Sequence, residues 1–278
     1  MKSNKQTKSK IAVIIFSIIV ILSGWIGRGL DDQIGATGEN SPGMLVWLLL
    51  PLITVIIIKI IFKASISKIG LKPKFKGNIK FYLISFLFYP VVIAAYLVIG
   101  LSVGFVSLNS ISLETIIPVF ISMLIIQSIK NIFEEFSWRG YLAPELFELK
   151  INRCASHVFV GIIWALWHIP YNYIFIDSYR GSITQWYYPV FIIGIIITSF
   201  VYGEIRYRVN SVWPALIMHT VGNALLNTLI LSGLLNLEKA DNILHSIGQE
   251  GLIIIGLTIV FGAIALLVTK TKHHLEKT

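Results

Sequence analysis

Long stretches without a single charged residue are the feature that most constrains what this chain can fold into. The seven longest are Ile11 to Gly27, Gly43 to Ile58, Phe81 to Leu113, Cys154 to Ile176, Ser182 to Gly203, Asn210 to Leu237 and Gly251 to Thr269. A helix needs about 20 mostly apolar residues to cross the hydrocarbon core of a bilayer. Because the backbone polar groups of a segment in lipid must be satisfied within that segment, the stretches predict membrane-spanning helices.

The composition excludes most other classes of protein. Of the 278 residues, 55% are hydrophobic and only 13% are charged, whereas soluble domains carry roughly 25% charged residues. The single cysteine, Cys154, rules out a disulfide-stabilised scaffold. The net charge of +9 is clustered in the loops, so we expect the lipid bilayer as a partner and no nucleic acid.

The positions of the charges predict the number of spans and their orientation. We place eight transmembrane helices at about 11–27, 43–62, 81–104, 115–136, 155–175, 187–205, 211–232 and 250–269. With this count, 20 of the 23 Lys and Arg residues lie on one side, and only Arg28, Arg180 and Lys239 lie on the other. Positive charge is retained in cytoplasmic loops. The sequence therefore predicts an all-α, multi-pass protein of the cell membrane, with both termini cytoplasmic and one membrane domain over residues 1–278.

The fourth predicted span ends in a cluster of ionisable residues. Glu134 and Glu135 are adjacent, so their side chains point about 100° apart on a helix and serve different purposes. Glu135 and Arg139 are four residues apart, which is the spacing of an ion pair on one helical face. Glu134 has no such partner in its own helix, and a partly desolvated carboxylate suits a general base. If both acids lay at the headgroup level instead, they would be solvated and unimportant.

The fifth and seventh spans each carry a histidine. Trp164 and His168 are one turn apart in span five, so the indole can shelter the imidazole, and Pro170 should kink the helix beyond it. His219 and Asn223 share one face of span seven, where both can donate hydrogen bonds toward the same point. A lone histidine among aromatic residues is commonly a packing residue. Three helices that each bring acid, imidazole or amide groups into a membrane favour a functional site.

These motifs resemble those of the CPBP (Abi) family of intramembrane proteases. That family includes the Ras-converting C-a-a-X endopeptidase, lysostaphin-resistance-like proteins and bacteriocin-processing or immunity proteins. The chain has the Glu-Glu-x-x-x-Arg motif at residues 134–139 and the His-x-x-x-Asn motif at residues 219–223. The second motif, an aromatic residue four positions before a histidine, has Trp164 where phenylalanine is usual. The resemblance covers about residues 115–232, which would then form the catalytic core.

The resemblance implies a role for each residue. Glu134 would activate a water molecule, and His168 would share that water and help to protonate the leaving amine. His219 and Asn223 would hold the developing oxyanion. Arg139 would fix Glu135, and Trp164 would support the site. The implied substrate is a membrane-associated peptide or protein, such as a prenylated C-terminus or a leader peptide.

The resemblance leaves two questions open. The family is described as metalloproteases, and Glu134, His168 and His219 could serve as zinc ligands. The chain lacks His-Glu-x-x-His, however, and a glutamate-dependent hydrolysis without a metal fits the same residues. The alternatives to a protease are a non-catalytic immunity-type protein of the same fold and a proton or ion transporter. A transporter would be expected to have a duplicated half, and none is visible.

The depth of the three motifs predicts an unusually long fourth helix. His168 and His219 lie well inside their spans, whereas Glu134 is almost at the end of its own. The acids reach the depth of the histidines only if helix four continues past Arg139, to about Glu148. We expect a kink at Pro144 in this extension.

Overall fold

The computed structural model describes residues 2–62, 67–176, 185–237 and 242–269. Some charges used to predict the orientation lie outside these residues. They are Lys63, Arg180, Lys239, Lys270, Lys272 and Lys277.

The described part of the chain is almost entirely helical. Its α-helices are α1 (Lys2–Ile34), α2 (Pro42–Ile61), α3 (Ile79–Val103), α4 (Leu113–Ser137), α5 (Ala143–Glu148), α6 (Arg153–Pro170), α7 (Tyr187–Val209), α8 (Trp213–Leu231) and α9 (Leu252–Val268). A 3₁₀ turn (Ser67–Ile69), two π-helical segments (Trp138–Leu142 and Tyr171–Phe175) and two short strands, β1 (Ser107–Leu108) and β2 (Leu235–Asn236), complete it.

The helices have the length and surface of membrane spans. Seven helical segments of the described chain are long and apolar enough to cross a bilayer, and α9, with 17 residues, is a shorter apolar helix. Large apolar side chains such as Ile60, Val103 and Leu113 are at least 70% exposed, which suits a surface covered by lipid rather than water. The prediction of an all-α polytopic membrane protein is confirmed.

The fourth span continues beyond the acidic motif, as its depth required. Leu113–Glu148 forms one helical segment of 36 residues, and it is π-helical from Trp138 to Leu142. Proline lacks an N–H, and its ring clashes with the carbonyl group four residues earlier. The widened turn lies directly before Pro144, which occupies the first turn of α5. The structure thus accommodates this proline with a π-helical turn.

One compact unit comprises the described residues of 1–71 and 130–200. In it α1 packs along α2 and against α6. A Cβ atom on Gly27 would lie 2.2 Å from the carbonyl oxygen of Gly43, so these two backbones approach as closely as glycine allows. The carboxylate of Asp31, which is 1% exposed, accepts a 2.8 Å hydrogen bond from the Gly43 amide. This bond satisfies one of the N–H groups at the start of α2.

The second compact unit comprises the described residues of 72–129 and 201–278. Helix α3 packs against α8 and α9, and β1 pairs antiparallel with β2 through Ser107 opposite Asn236 and Leu108 opposite Leu235. Arg208 donates to the Leu266 carbonyl at 2.6 Å and to the Thr269 hydroxyl at 2.7 Å, which satisfies acceptors at the carboxyl end of α9. A single membrane domain over residues 1–278 remains a prediction.

Candidate active site

The acidic motif is buried inside the first unit. Glu134 is 4% exposed, and Glu135 and Arg139 are 0% exposed. Arg139 Nη1 lies 3.0 Å from Glu135 Oε1, so the ion pair predicted from the four-residue spacing is formed. Removing one partner of such a pair leaves an uncompensated buried charge and typically costs about 3–5 kcal/mol of stability. The burial also shows that these acids are not solvated at the protein surface.

Trp164 connects the Glu135–Arg139 ion pair to Glu134. Its indole Nε1–H donates a 2.8 Å hydrogen bond to Glu134 Oε2, and the Arg139 guanidinium carbon lies 4.2 Å from the centroid of the Trp164 ring system. Glu135, Arg139, Trp164 and Glu134 therefore form a continuous buried chain of charged and polar contacts. The sequence predicted that Trp164 would shelter His168, and the resemblance implied that Trp164 would support the site. Its bond to Glu134 depends on how α6 packs against α4, which neither helix's periodicity reveals.

His168 lies one turn beyond Trp164 on α6. Its Nδ1 is 2.9 Å from the Trp164 carbonyl oxygen, and its ring centroid is 5.9 Å from that of Trp164. Because a carbonyl group can only accept, Nδ1 carries the proton in this hydrogen bond. In the neutral imidazole, Nε2 then carries the lone pair that a general base requires. Glu134 and His168 both contact Trp164, the first through the indole N–H and the second through the backbone carbonyl.

Aromatic rings surround His168, and the sequence related only that of Trp164 to it. Trp47 on α2 lies with its ring centroid 6.0 Å from His168 and stacks on Trp167 at 4.0 Å. Each indole N–H donates to the other residue's backbone carbonyl, Trp47 at 2.8 Å and Trp167 at 3.2 Å. Phe191 stands edge-on to the imidazole at 5.8 Å. These contacts restrict the orientation of the His168 ring and limit its contact with water.

The third motif lies in the second unit, on α8. His219 is 6% exposed and packs against Tyr202 at 5.7 Å between ring centroids. Asn223 is half-buried, and its Nδ2 lies 3.5 Å from Gln127 Oε1. Both side chains occupy the same face of one regular helix, as their four-residue spacing predicted. Gln127, which is 6% exposed, was not singled out from the sequence because a lone amide in a span carries no motif.

The described side chains do not form a zinc site. Catalytic zinc takes three protein ligands and keeps a fourth position open. Within the described ranges, no three His, Cys, Asp or Glu side chains are grouped so that they could hold a metal ion. In the first unit, the candidate ligand Glu134 instead accepts the Trp164 hydrogen bond.

A comparison with known families agrees with the motifs. Residues 114–225 match the family described as type II CAAX prenyl endopeptidase, Rce1-like. The matched region is less than half of the chain, and it contains all three motifs, from Glu134 to Asn223. No curated protein matches the chain significantly. The resemblance to intramembrane proteases is thus confirmed: residues 114–225, the region that carries its motifs, are similar to the Rce1-like protease family.

Proposed function

We propose that the chain is an intramembrane endopeptidase that uses Glu134 and His168 to activate water. The observation that carries the proposal is the hydrogen bond between Trp164 Nε1 and Glu134 Oε2. It links the carboxylate to the helical turn that ends in His168. A buried carboxylate and a half-buried imidazole in one aromatic environment are the groups that proton transfer to and from water requires.

The proposed reaction is a direct hydrolysis. Glu134 removes a proton from water, and the resulting hydroxide oxygen attacks the carbonyl carbon of the peptide bond. The tetrahedral intermediate then expels the amine as the C–N bond breaks. The amine leaves with the proton that Glu134 or His168 delivers, so no external reactant besides water is consumed. Because Nδ1 of His168 is engaged by the Trp164 carbonyl, Nε2 is the atom assigned to this proton exchange.

His219 and Asn223 are assigned the role of stabilising the negative charge on the oxygen of the tetrahedral intermediate. The assignment rests on the resemblance and on the chemistry of the two side chains, since an imidazole N–H and an amide N–H both donate hydrogen bonds. Loss of one such donor typically costs about 100-fold to 1,000-fold in kcat. Glu135, Arg139 and Trp164 are assigned supporting roles, because they contact Glu134 or its neighbours within the first unit.

The proposed substrate is a tail or leader of a membrane-associated protein. The matching family is described as a CAAX prenyl endopeptidase, and a lipid-modified C-terminus would reach a site within the bilayer. We propose that both termini are cytoplasmic, which would place the motif-bearing end of α4 toward the cytoplasmic leaflet. Substrates made in the cytoplasm could then approach without crossing the membrane.

The test is a comparison of membrane peptidomes. Cells that express the wild type or Glu134→Gln would be compared by mass spectrometry of membrane-associated peptides and new protein termini. Glu114→Gln is the matched control, because Glu114 begins the same helix and is exposed. We expect a set of cleavage products that the wild type and Glu114→Gln share and that Glu134→Gln lacks.

Identical peptide profiles in wild type and Glu134→Gln would contradict the protease proposal. A protective phenotype that survives the Glu134→Gln substitution would instead identify a non-catalytic immunity-type protein. Loss of an ion gradient in the wild type, without any new peptide, would point to a transporter. Equal expression of the wild type and the two variants in the membrane fraction is required for each comparison.

A further inference from the structure

Lys130 lies inside a predicted span and is ionisable, but it has no role in the proposed hydrolysis. It lies on α4, is half-buried, and its Nζ atom is 5.6 Å from the centroid of the Tyr171 ring. Ionisable side chains within spanning helices are energetically costly and commonly mark functional sites. None of the ion pairs between residues that the structure describes involves Lys130.

Another lysine of the same unit provides a contrast. Lys59 is buried on α2, and its Nζ atom lies 2.8 Å from Glu145 Oε1. Its charge is therefore compensated within the protein, and its role is structural. The aromatic face of Tyr171 attracts the Lys130 ammonium by a cation–π interaction. Unlike an oxygen atom, this face is not a conventional hydrogen-bond acceptor for the three N–H groups of the ammonium.

Lys130 lies about one helical turn from the candidate catalytic residues. It precedes Glu134 by four residues, so the two side chains share one face of α4 with about 6 Å of axial rise between them. Its aromatic partner Tyr171 follows His168, and the two ring centroids are 6.5 Å apart. On both helices, the Lys130–Tyr171 contact thus lies about one turn from the groups assigned to water activation.

We propose that Lys130 binds a carboxylate of the substrate peptide and so helps to select the cleavage site. The inference rests on the proposed function. A carboxylate is the anionic group that an unmodified peptide carries, and it forms short, charge-assisted hydrogen bonds with an ammonium group. An extended chain advances about 3.3–3.6 Å per residue. The bound carboxylate therefore belongs about two to three residues from the scissile bond, either at the C-terminus or on an Asp or Glu side chain.

The test uses purified protein in nanodiscs and a defined peptide library. The library consists of N-palmitoylated decapeptides of mixed sequence, prepared in three forms: with a C-terminal carboxylate, as the carboxamide, and as the carboxamide with one Glu at each position in turn. Cleavage is followed by mass spectrometry. We expect wild type to prefer a carboxylate form over the plain carboxamide by about 10-fold or more in kcat/KM, the range of a hydrogen bond to a charged group. The first and third forms, each compared with the plain carboxamide, distinguish the C-terminal and side-chain sources of the carboxylate.

Variants of Lys130 identify the residue that produces this preference. In Lys130→Gln the preference should fall to about onefold, whereas Lys130→Arg should retain most of it. Lys76→Gln is the matched control, since Lys76 is an exposed loop lysine, and it should keep the full preference. A wild-type preference of onefold, or an undiminished preference in Lys130→Gln, would overturn the inference. A uniform loss of cleavage in Lys130→Gln for all three peptide forms would also overturn it and would indicate an anionic lipid headgroup as the partner.

A binding measurement keeps this inference separate from the protease proposal. In the Glu134→Gln background, the same peptides would be titrated and quenching of tryptophan fluorescence recorded, since Trp47, Trp164 and Trp167 surround His168. Binding of the carboxylate forms should be about 10-fold tighter than that of the carboxamide, and Lys130→Gln should abolish the difference. Equal binding of all forms would refute the role of Lys130. Absence of any Glu134-dependent cleavage, with the binding preference intact, would refute only the protease activity.

Discussion

Among the individual residues, Glu134 has its carboxylate held by a hydrogen bond from another helix. Its Oε2 accepts the indole N–H of Trp164 at 2.8 Å, and Trp164 in turn packs beneath the Arg139 guanidinium. The indole therefore fixes the carboxylate in one orientation while the guanidinium fixes the indole. A phenylalanine at position 164, which is usual in the family that the motifs resemble, would fill the same space without an N–H group. In this chain the orientation of the proposed base is thus linked to a tryptophan.

Trp164→Phe should lower kcat more than it changes KM. The substitution retains an aromatic ring against Arg139 and removes only the hydrogen bond to the carboxylate. Hydrogen bonds to charged groups contribute about 1.5–3 kcal/mol, so we expect kcat to fall by roughly 10-fold to 100-fold. Steady-state kinetics on a substrate from the peptidome comparison would measure both constants. Trp186→Phe is the matched control, because Trp186 is 61% exposed, and it should leave both constants unchanged. An equal kcat in Trp164→Phe and wild type would show that the bond does not orient the base.

The residues of the site differ in how far the sequence predicted them. Glu135 and Arg139 were paired correctly because a four-residue spacing within one helix fixes their geometry. The same rule placed His219 and Asn223 on one face of α8. The bond from Trp164 to Glu134, the stacking of Trp47 on Trp167, and the contact of Gln127 with Asn223 all join different helices. Such contacts depend on the register between helices, which the periodicity of a single helix does not contain.

At the level of helices, each unit contains a glycine at which two of its own helices approach closely. Gly222 lies between His219 and Asn223 on α8, and a Cβ atom at this position would lie 2.5–3.0 Å from three atoms of the Tyr89 ring. Tyr89 is buried on α3 and is 7% exposed, so its ring has little room to move. The packing of α8 on α3 therefore depends on the absence of a side chain at residue 222.

Gly222→Ala should destabilise the second unit and reduce activity. The added methyl group must displace the Tyr89 ring or the α8 backbone, and overpacking of this kind costs about 1–3 kcal/mol. We expect a lower midpoint of thermal unfolding for the purified protein and faster proteolysis of the α8 region. Gly256→Ala provides the control, because no atom lies within 4 Å of a Cβ built on Gly256 and alanine favours a helix by about 1 kcal/mol. If Gly222→Ala unfolded at or above the wild-type temperature, the close contact would not limit the packing of α3 and α8.

Helix boundaries show what the sequence predicts at this scale. The need to bring Glu134 to the depth of the histidines predicted a helical segment that reaches Glu148, and the structure has one. A π-helical turn of residues 138–142 lies directly before Pro144, where the sequence predicts a kink. The sequence could not show this turn, because a proline does not by itself determine whether the preceding turn widens. The choice depends on packing: Trp138, Arg139 and Tyr141 within the turn are all at most 1% exposed.

For the whole molecule, the distribution of basic residues predicts that both termini are cytoplasmic. The prediction rests on 20 of 23 Lys and Arg residues falling on one side of the eight predicted spans. Helix α9 is shorter than the other spans, so an experimental determination of the orientation also tests whether α9 crosses the bilayer. The start of α6 is predicted to be cytoplasmic, and the connection between α3 and α4 is predicted to lie outside.

The single cysteine makes this orientation measurable without extensive engineering. Cys154 is exposed at the start of α6, so a membrane-impermeant maleimide should label it in permeabilised cells and not in intact cells. A variant that combines Cys154→Ser with Ser110→Cys moves the thiol to an exposed position between α3 and α4, and it should be labelled in intact cells. A cysteine introduced at Lys2 in the Cys154→Ser background should behave like Cys154. Labelling of Cys154 in intact cells would reverse the predicted orientation, and it would place the proposed water-activating residues within reach of extracellular rather than cytoplasmic substrates.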